Sequence, residues 1–113
     1  MPVLVTAIIK PFKLEEVREA LLGAGIAGLT VSEVQGYGRQ AGRTETFRGA
    51  EYTVEYVPKI RLDLIVDDGD ADRAVEVVTE AAKTGKIGDG KVWSMPLERV
   101  VRVRTGEQGV DAI

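Results

Sequence analysis

The chain contains no cysteine and no histidine. Without thiols it can form neither a disulfide nor a cysteine nucleophile, and without imidazole it has no histidine general base and no Ser-His-Asp triad. Zinc sites of the cysteine/histidine type are excluded for the same reason, because these side chains are their ligands. The chemistry of this chain therefore depends on carboxylates, lysines, arginines, hydroxyls and the backbone.

Long hydrophobic runs and an excess of positive charge are also missing. No apolar segment approaches the roughly 20 residues of a membrane span. The apolar start, MPVLVTAIIKPF, lacks the basic region and the small-residue cleavage site of a signal peptide, so we expect a cytoplasmic protein. The 15 lysines and arginines against 18 aspartates and glutamates leave a net charge of −3. This charge argues against direct nucleic-acid binding but allows a local cationic site.

The remaining composition is that of an ordinary globular domain, with 44% hydrophobic and 29% charged residues in a chain of 113. We therefore expect a single domain over residues 1–113. Apolar periodicity predicts four main strands and two helices, the second of which Asp70 would cap. The predicted strands are Val3–Ile9, Leu29–Val34, Tyr56–Val66 and Val92–Leu97, and the predicted helices are Leu14–Ala24 and Ala71 to about Lys83.

The element order is β-α-β, a long hairpin loop, β-α-β, then an additional C-terminal strand over Arg99–Arg104 and a mobile tail over about 105–113. Two β-α-β units in a chain of this length predict an α+β fold of the ferredoxin-like split βαβ type. Right-handed crossovers place both helices on one face of an antiparallel four-stranded sheet. The strands VLVTAII and LDLIV are apolar on both alternations. A closed homo-oligomer is the simplest cover for the other face.

The first glycine motif, Gly36 to Ala41 (GYGRQA), formally matches the dinucleotide fingerprint that follows a strand. That fingerprint requires a helix next, because the helix N-terminus holds the pyrophosphate. A loop rich in glycine, arginine and threonine follows instead. The motif therefore does not support a Rossmann site.

The second motif, Gly85 to Val92 (GKIGDGKV), approaches the phosphate-binding loop of nucleotide hydrolases. Val92 replaces the hydroxyl that would bind magnesium, and the segment runs from helix to strand, the reverse of the required order. A Gly-x-Gly-Lys turn nevertheless offers backbone N–H groups beside an ammonium, which suits phosphate. The alternative interpretation is a glycine-rich turn without a ligand.

The third constellation is Arg102-Val103-Arg104. On a strand these two arginines share one face, and no carboxylate at position 100 offsets their repulsion. An anionic ligand would resolve this conflict, although scattered charge on an exposed strand is an alternative. With the two glycine turns, the arginines favour a nucleotide or polyphosphate site.

Four segments give the chain a resemblance to the PII nitrogen-regulatory signal-transduction proteins. They are KPFKLEEVREAL (Lys10 to Leu21), EVQGYGRQ with TETFRGAEY, TGKIGDGKVW (Thr84 to Trp93) and RVRTGE (Arg102 to Glu107). The likeness covers essentially the whole chain, in order and with the family's spacing. It implies a homotrimer of ferredoxin-like subunits that binds ATP or ADP in each cleft between neighbouring subunits.

The resemblance also implies which residues bind these ligands. Gln40 would contact both Mg²⁺ and 2-oxoglutarate when ATP is bound, and the ammonium of Lys59 would pair with a 2-oxoglutarate carboxylate. The nucleotide would be bound by a larger set, partly supplied by the adjacent subunit. This set is Thr30, Gly36, Tyr37, Gly38, Arg39, Ile65, Gly88, Asp89, Gly90, Lys91, Arg102 and Arg104.

The long loop resembles the family's T-loop, a flexible arm over about residues 37–55 that contacts target proteins. Tyr52 matches the tyrosine that many members carry as a nucleotidylylation site, whereas Phe47 stands where a tyrosine is frequent. The implied partners are proteins of nitrogen metabolism, such as an ammonium channel or a nucleotidylyltransferase. Membrane contact would arise only through a channel partner.

The expected function is therefore that of a regulatory sensor without enzymatic activity. One alternative is a small nucleotide-dependent phosphotransferase or hydrolase that uses the GDGK turn. The missing histidine and the missing hydroxyl at position 92 argue against it. The other alternative is a structural trimer with a flexible hairpin.

Overall fold

The computed structural model describes residues 1–37, 43–47, 50–54 and 56–113. Within these described ranges it contains six strands, two α-helices and two short 3-10 helices. The strands are β1 (Pro2–Ile9), β2 (Thr30–Tyr37), β3 (Arg43–Phe47), β4 (Ala50–Val54), β5 (Tyr56–Asp67) and β6 (Lys91–Pro96). The helices are α1 (Leu14–Gly23) and α2 (Asp68–Ala82), and the 3-10 helices are Pro11–Lys13 and Gly109–Ala112.

The main sheet has the strand order β2-β5-β1-β6, and every neighbouring pair is antiparallel. Consecutive strands of each β-α-β unit are thus separated by one other strand, which leaves room for the helical crossover. Strands β1 and β5 occupy the centre, with Val5 opposite Leu64. This arrangement confirms the predicted ferredoxin-like α+β fold.

The core lies between the two helices and one face of this sheet. Alternate residues of β1 and β5 point into it, as their period of two requires. Val17 and Leu21 of α1 are buried, since residues four apart lie on one face of a helix, and α2 contributes Ala74 and Val78. The buried hydrophobic residues that the sheet contributes to this core are Val3, Val5, Ala7, Ile9, Ile60, Leu62, Leu64 and Val66.

The prediction for the start of α2 was wrong. The helix begins at Asp68 instead of Ala71, and its N-cap is Asp67, whose side chain accepts a hydrogen bond from the Asp68 backbone N–H at 3.0 Å. Asp70 lies inside the first turn and pairs with Arg73 at 3.2 Å. The last residue of β5 therefore caps α2 directly.

The predicted C-terminal strand over Arg99–Arg104 is also wrong. Only an isolated bridge forms, between Val101 and Gln108. The backbone N–H of Gly106 donates to the Arg102 carbonyl at 2.8 Å, which closes a turn between these two positions. The segment therefore folds back on itself and does not extend the sheet.

The predicted long hairpin contains strands of its own. Strands β3 and β4 form a separate two-stranded antiparallel sheet in which Phe47 lies opposite Ala50. Tyr52 lies in β4 opposite Glu45. Strands β3 and β4 therefore form a β-hairpin arm that is separate from the main sheet.

The sheet face opposite the helices is uncovered in the single chain. Ile65, Leu4 and Met95 form one row across β5, β1 and β6, and Trp93 lies nearby on the same face. Ile65 is 39% exposed, Trp93 40% and Met95 48%. The sequence pattern predicted this apolar face. In the described part of the chain, no helix has the length and apolar character to cross a membrane.

Candidate functional site

The Gly-x-Gly-Lys turn connects α2 to β6 and lies against the end of β1. Gly88 and Gly90 have φ values of 91° and 96°, which L side chains rarely adopt. A Cβ on Gly90 would lie 1.7 Å from the Ile8 carbonyl oxygen. Glycine is therefore required here, because the turn approaches the β1 backbone too closely for any side chain.

The carboxylate of Asp89 holds this turn from within. It accepts hydrogen bonds from the backbone N–H groups of Thr84 and Gly85, both at 2.8 Å, and from the Thr84 hydroxyl. The Lys10 ammonium lies 3.2 Å from the same carboxylate. These donors, foremost the Thr84 hydroxyl, hold the pKa of Asp89 well below its usual range. The carboxylate is therefore charged at neutral pH.

Lys59 anchors the turn from the side of β5. Its side chain is only 6% exposed, and its ammonium donates to the Gly88 carbonyl at 2.5 Å. Burial, and then the positive charge of Lys10, lower the pKa of Lys59. On β2, Gly36 leaves room for this lysine, since a Cβ there would lie 3.2 Å from the Lys59 Cγ.

These elements surround a cavity of about 630 Å³, here called the turn cavity. Two lysines, Lys59 and Lys91, contribute to its wall. No carboxylate occurs among its lining residues in the described part of the chain, so its electrostatics favour an anion. The lining residues are Ile8, Gly36, Tyr37, Val57, Lys59, Ile87, Gly88, Gly90, Lys91 and Trp93.

The turn cavity brings together predicted site residues from three separate segments of the chain. Gly36 and Tyr37 come from the end of β2, Lys59 from β5, and the remaining predicted residues from the glycine turn. Asp89 belongs to the same turn, but its carboxylate contacts Thr84 and Lys10. It does not line this cavity.

Two other predicted nucleotide ligands, Thr30 and Ile65, line a second cavity. This tail cavity has a volume of about 650 Å³ and is bordered by the C-terminal residues Val110 and Ile113. None of its lining residues belongs to the turn cavity. Within this chain, the predicted nucleotide ligands therefore fall into separate groups.

The argument that no carboxylate offsets the arginine charge was wrong for Arg102. Arg102 is neutralised within the chain, since its guanidinium lies 3.1 Å from the Glu107 carboxylate and donates to the Ile113 backbone carbonyl at 2.9 Å. Arg104 lies on the exposed turn that follows. The two arginines line neither the turn cavity nor the tail cavity.

The base of the hairpin arm carries two exposed tyrosines. The rings of Tyr37 and Tyr56 lie next to each other on the paired strands β2 and β5, with centroids 6.1 Å apart and a tilt of 58° between their planes. The predicted ligands Gly38, Arg39 and Gln40 lie outside the described residues. Among the residues that are described, no cluster of three carboxylates is placed to hold a metal ion.

Sequence reasoning missed the supporting residues Lys10 and Thr84, as well as Trp93 in the wall of the turn cavity. A local signal existed for Thr84, because threonine and aspartate beside a glycine turn often bond to its backbone. No local signal indicated Lys10, because it lies 74 residues from Thr84 along the chain. Only the pairing of β1 with β6 brings them together.

Comparison with known proteins identifies the family of this chain. The family described as "Nitrogen regulatory protein P-II" matches residues 3–107. The chain belongs to the P-II family.

Relatives in this family are similar along nearly the whole chain. A nitrogen regulatory protein P-II from Azospirillum brasilense is 55% identical over 109 residues, which are 96% of this chain and 97% of the relative. A relative of the same name from Nostoc punctiforme is 54% identical over 109 residues, again 96% and 97% of the two chains. The relatives are named as regulatory proteins, so P-II membership supports a regulatory signalling role.

A solved P-II structure also matches the fold. The crystal structure of Arabidopsis thaliana PII bound to citrate superimposes with a TM-score of 0.82 at 35% sequence identity. The match covers 99% of this chain and 92% of the Arabidopsis chain. The ferredoxin-like fold is therefore shared along the full length described above.

Proposed function

We propose that this P-II protein is a cytoplasmic sensor that binds ATP or ADP, binds 2-oxoglutarate together with Mg-ATP, and regulates proteins of nitrogen metabolism without catalysing a reaction. The observation that carries the proposal is the turn cavity. Its wall contains two lysines and a glycine turn, and no carboxylate among its described lining residues. A site of this charge and volume suits the phosphates of a nucleotide.

The glycine turn supplies the chemistry for phosphate. Turns with positive φ expose successive backbone N–H groups, which can bind anionic oxygens in a concavity. Gly88 and Gly90 both have this geometry. The Lys91 ammonium adds a mobile positive charge at the first position of β6. Together they would hold the phosphates at the edge of the sheet.

A homotrimer would complete the site. Thr30 and Ile65 line the tail cavity, which is separate from the turn cavity of the same subunit. In a trimer, the tail cavity of one subunit would face the turn cavity of its neighbour. The apolar row of Ile65, Leu4 and Met95 supports such an assembly, because association would remove the exposed side chains of Ile65 and Met95 from water.

The 2-oxoglutarate site would adjoin the glycine turn. The ammonium of Lys59 would pair with a carboxylate of the ligand, in exchange for its hydrogen bond to the Gly88 carbonyl. Gln40 would contact Mg²⁺ and the ligand. A bound Mg²⁺ would neutralise phosphate charge and favour the neighbouring carboxylate. Lys59 would thereby connect 2-oxoglutarate to the phosphate-binding turn.

Signal output would pass through the β3–β4 arm, the family's T-loop. Its base is formed by Tyr37 and Tyr56, and Tyr37 also lines the turn cavity. Ligand occupancy would shift the arm between states of different affinity for targets, with a coupling free energy of typically about 1–3 kcal/mol. The proposed targets include an ammonium channel and a nucleotidylyltransferase. Tyr52 in β4 is the proposed nucleotidylylation site.

Titration calorimetry tests this function. We expect 2-oxoglutarate to bind in the presence of Mg-ATP and to bind much more weakly in the presence of ADP. Lys91→Ala is expected to weaken ATP binding, whereas Lys86→Ala serves as a control from the same turn but outside the lining of the turn cavity. Equal 2-oxoglutarate affinity with both nucleotides, or full ATP affinity in the Lys91 variant, would contradict the proposal.

A further inference from the structure

Three polar side chains meet behind the glycine turn. The Thr84 hydroxyl donates to the Asp89 carboxylate and accepts hydrogen bonds from the Lys10 ammonium at 3.2 Å and from the Lys86 backbone N–H at 3.1 Å. The other Asp89 oxygen accepts the backbone N–H groups of Thr84 and Gly85 at 2.8 Å. The two ends of the turn are therefore joined through one hydroxyl and one carboxylate.

This cluster also attaches the turn to the centre of the sheet. Lys10 directly follows β1, and its ammonium lies 3.2 Å from the Asp89 carboxylate. Both side chains are largely shielded, with 16% and 24% exposure. The pair is therefore less screened by water and salt than an exposed surface pair. Two residues earlier, the Ile8 carbonyl lies against Gly90.

We propose that the linked side chains of Thr84, Asp89 and Lys10 form a brace that positions the phosphate-binding turn. Thr84 is the central positioning residue of this brace, and it acts through its hydroxyl. The inference rests on the proposed nucleotide function and extends it to residues that do not line the turn cavity. Thr84 and Lys10 act through the backbone of the turn. The Lys91 ammonium and the backbone N–H groups around Gly88 would contact the phosphates.

The physical role of the brace is preorganisation. A glycine-rich turn has many accessible backbone conformations, and ordering it upon binding would reduce affinity. The brace fixes the turn before the ligand arrives. Because the low pKa of Asp89 keeps its carboxylate ionised, the brace persists throughout the neutral range of pH.

Matched threonine variants test the hydroxyl. Thr84→Val keeps the shape of the side chain but removes its hydrogen bonds, so Mg-ATP binding is expected to weaken about tenfold. Thr84→Ser restores the hydroxyl and is expected to bind within about twofold of the parent protein. Thr79→Val is the control, because it removes a hydroxyl whose bond to the Val75 carbonyl stays within α2.

Hydrogen exchange distinguishes the loss of order in the turn from a general destabilisation of the fold. In Thr84→Val, the amides of residues 84–91 are expected to exchange faster, whereas those of β1 and β5 keep their protection. Unchanged exchange in this turn, or equal ATP affinity in the parent and Thr84→Val, would overturn the brace. Equal losses in Thr84→Val and Thr84→Ser would also overturn it, because the hydroxyl would then be irrelevant.

A second variant keeps the test informative if Thr84→Val does not fold. Lys10→Met is expected to give the same faster exchange and weaker binding, with Lys13→Met as the control, because Lys13 pairs with Glu16 on α1. If the parent protein binds no nucleotide at all, the proposed function fails. The exchange measurement still decides whether the brace holds the turn.

Discussion

At the scale of the residue, the absence of a Cβ atom on the glycines determines the geometry of the glycine turn. Gly90→Ala would place a methyl group 1.7 Å from the Ile8 carbonyl oxygen and would also strain a backbone with φ of 96°. Gly85→Ala shares the positive φ, at 82°, but its methyl group would meet no atom within 4 Å. The pair therefore separates a steric clash from conformational strain.

We expect Gly85→Ala to cost about 1–2 kcal/mol of unfolding free energy, the usual cost of a left-handed residue with a Cβ. Gly90→Ala is expected to cost more and to abolish ATP binding, since the turn must move away from β1. Urea denaturation and calorimetry measure these effects. Equal losses in the two variants would show that the contact with Ile8 does not matter.

The lowered pKa of Asp89 predicts how the stability of the fold depends on pH. Its pKa is lower in the folded protein than in the unfolded chain, so it stabilises the fold above the unfolded value of about 3.9. That contribution is lost as the pH falls toward the folded value. Asp89→Asn is therefore expected to melt at a lower temperature than the parent at pH 7, with a difference that shrinks below about pH 4.

Thermal melting between pH 3 and pH 8 measures this difference. Asp63, whose pKa is also lowered by its bond to Arg61, is present in both proteins, so its effect cancels in the comparison. Asp72→Asn on the exposed side of α2 provides a control for the loss of one charge. A parent-to-variant difference that stays constant down to pH 3 would contradict the role of Asp89.

At the scale of the element, the buried face of β5 makes this strand sensitive to the truncation of its core side chains. Leu62 is fully buried between the sheet and the helices, opposite Ala7 on β1 and Val31 on β2. Leu62→Ala is expected to lower the unfolding free energy by about 2–5 kcal/mol, since it removes buried methyl groups and leaves a cavity.

Leu22→Ala is the matched control for Leu62→Ala. Leu22 is 57% exposed on α1. Its substitution is expected to change stability by less than about 0.5 kcal/mol. Urea denaturation at one protein concentration compares the two, because an oligomer's stability depends on concentration. Similar losses of unfolding free energy in both variants would contradict the assignment of Leu62 to the core.

In the C-terminal turn, the Glu107 carboxylate would compete with the phosphates of ATP for the Arg102 guanidinium. Arg102, a proposed phosphate ligand, is paired with Glu107 at 3.1 Å. Glu107→Gln releases this pairing and is expected to raise ATP affinity by at most about fivefold, because exposed ion pairs contribute about 0–1 kcal/mol. Glu98→Gln, on another exposed residue, is the control for charge loss.

Calorimetric titration with Mg-ATP compares these two variants with the parent protein. A higher affinity in Glu107→Gln alone supports direct competition for the Arg102 guanidinium. An equal increase in both variants would indicate a general effect of net charge. Unchanged ATP affinity in Glu107→Gln would contradict the binding of ATP phosphates by Arg102.

The uncovered sheet face is the main feature at the scale of the whole molecule. Ile65 belongs both to this apolar face and to the tail cavity. Ile65→Glu is expected to dissociate the proposed trimer and to weaken ATP binding at least tenfold, because burial of an unpaired carboxylate in an interface is costly. Leu22→Glu, on the opposite layer, is the control.

Light scattering coupled to size-exclusion chromatography gives the oligomeric state of each variant. The expected result is a trimer for the parent and for Leu22→Glu, with monomers for Ile65→Glu. A trimeric Ile65→Glu protein would place the interface on another surface. A parent protein that is monomeric would contradict the assembly itself.

Much of this fold is determined by local sequence patterns. The continuous apolar run of β1 and the alternation of Arg61 and Asp63 with apolar residues in β5 predict strands. The helical spacing of Val17 and Leu21 predicts the buried face of α1. The sequence also shows that the glycine turn lacks the hydroxyl with which a hydrolase loop binds magnesium, because Val92 occupies that position. Family motifs then indicate the ligands without their geometry.

Tertiary structure alone decided how distant groups are paired. The Lys10 ammonium reaches Asp89 because β1 pairs with β6, and Lys59 reaches Gly88 because β5 pairs with β1. The alternating segment Arg99–Arg104 predicted a strand, but Arg102 instead meets Glu107 across a turn. Periodicity describes which face a residue occupies. It carries no information about which charge from another element faces it.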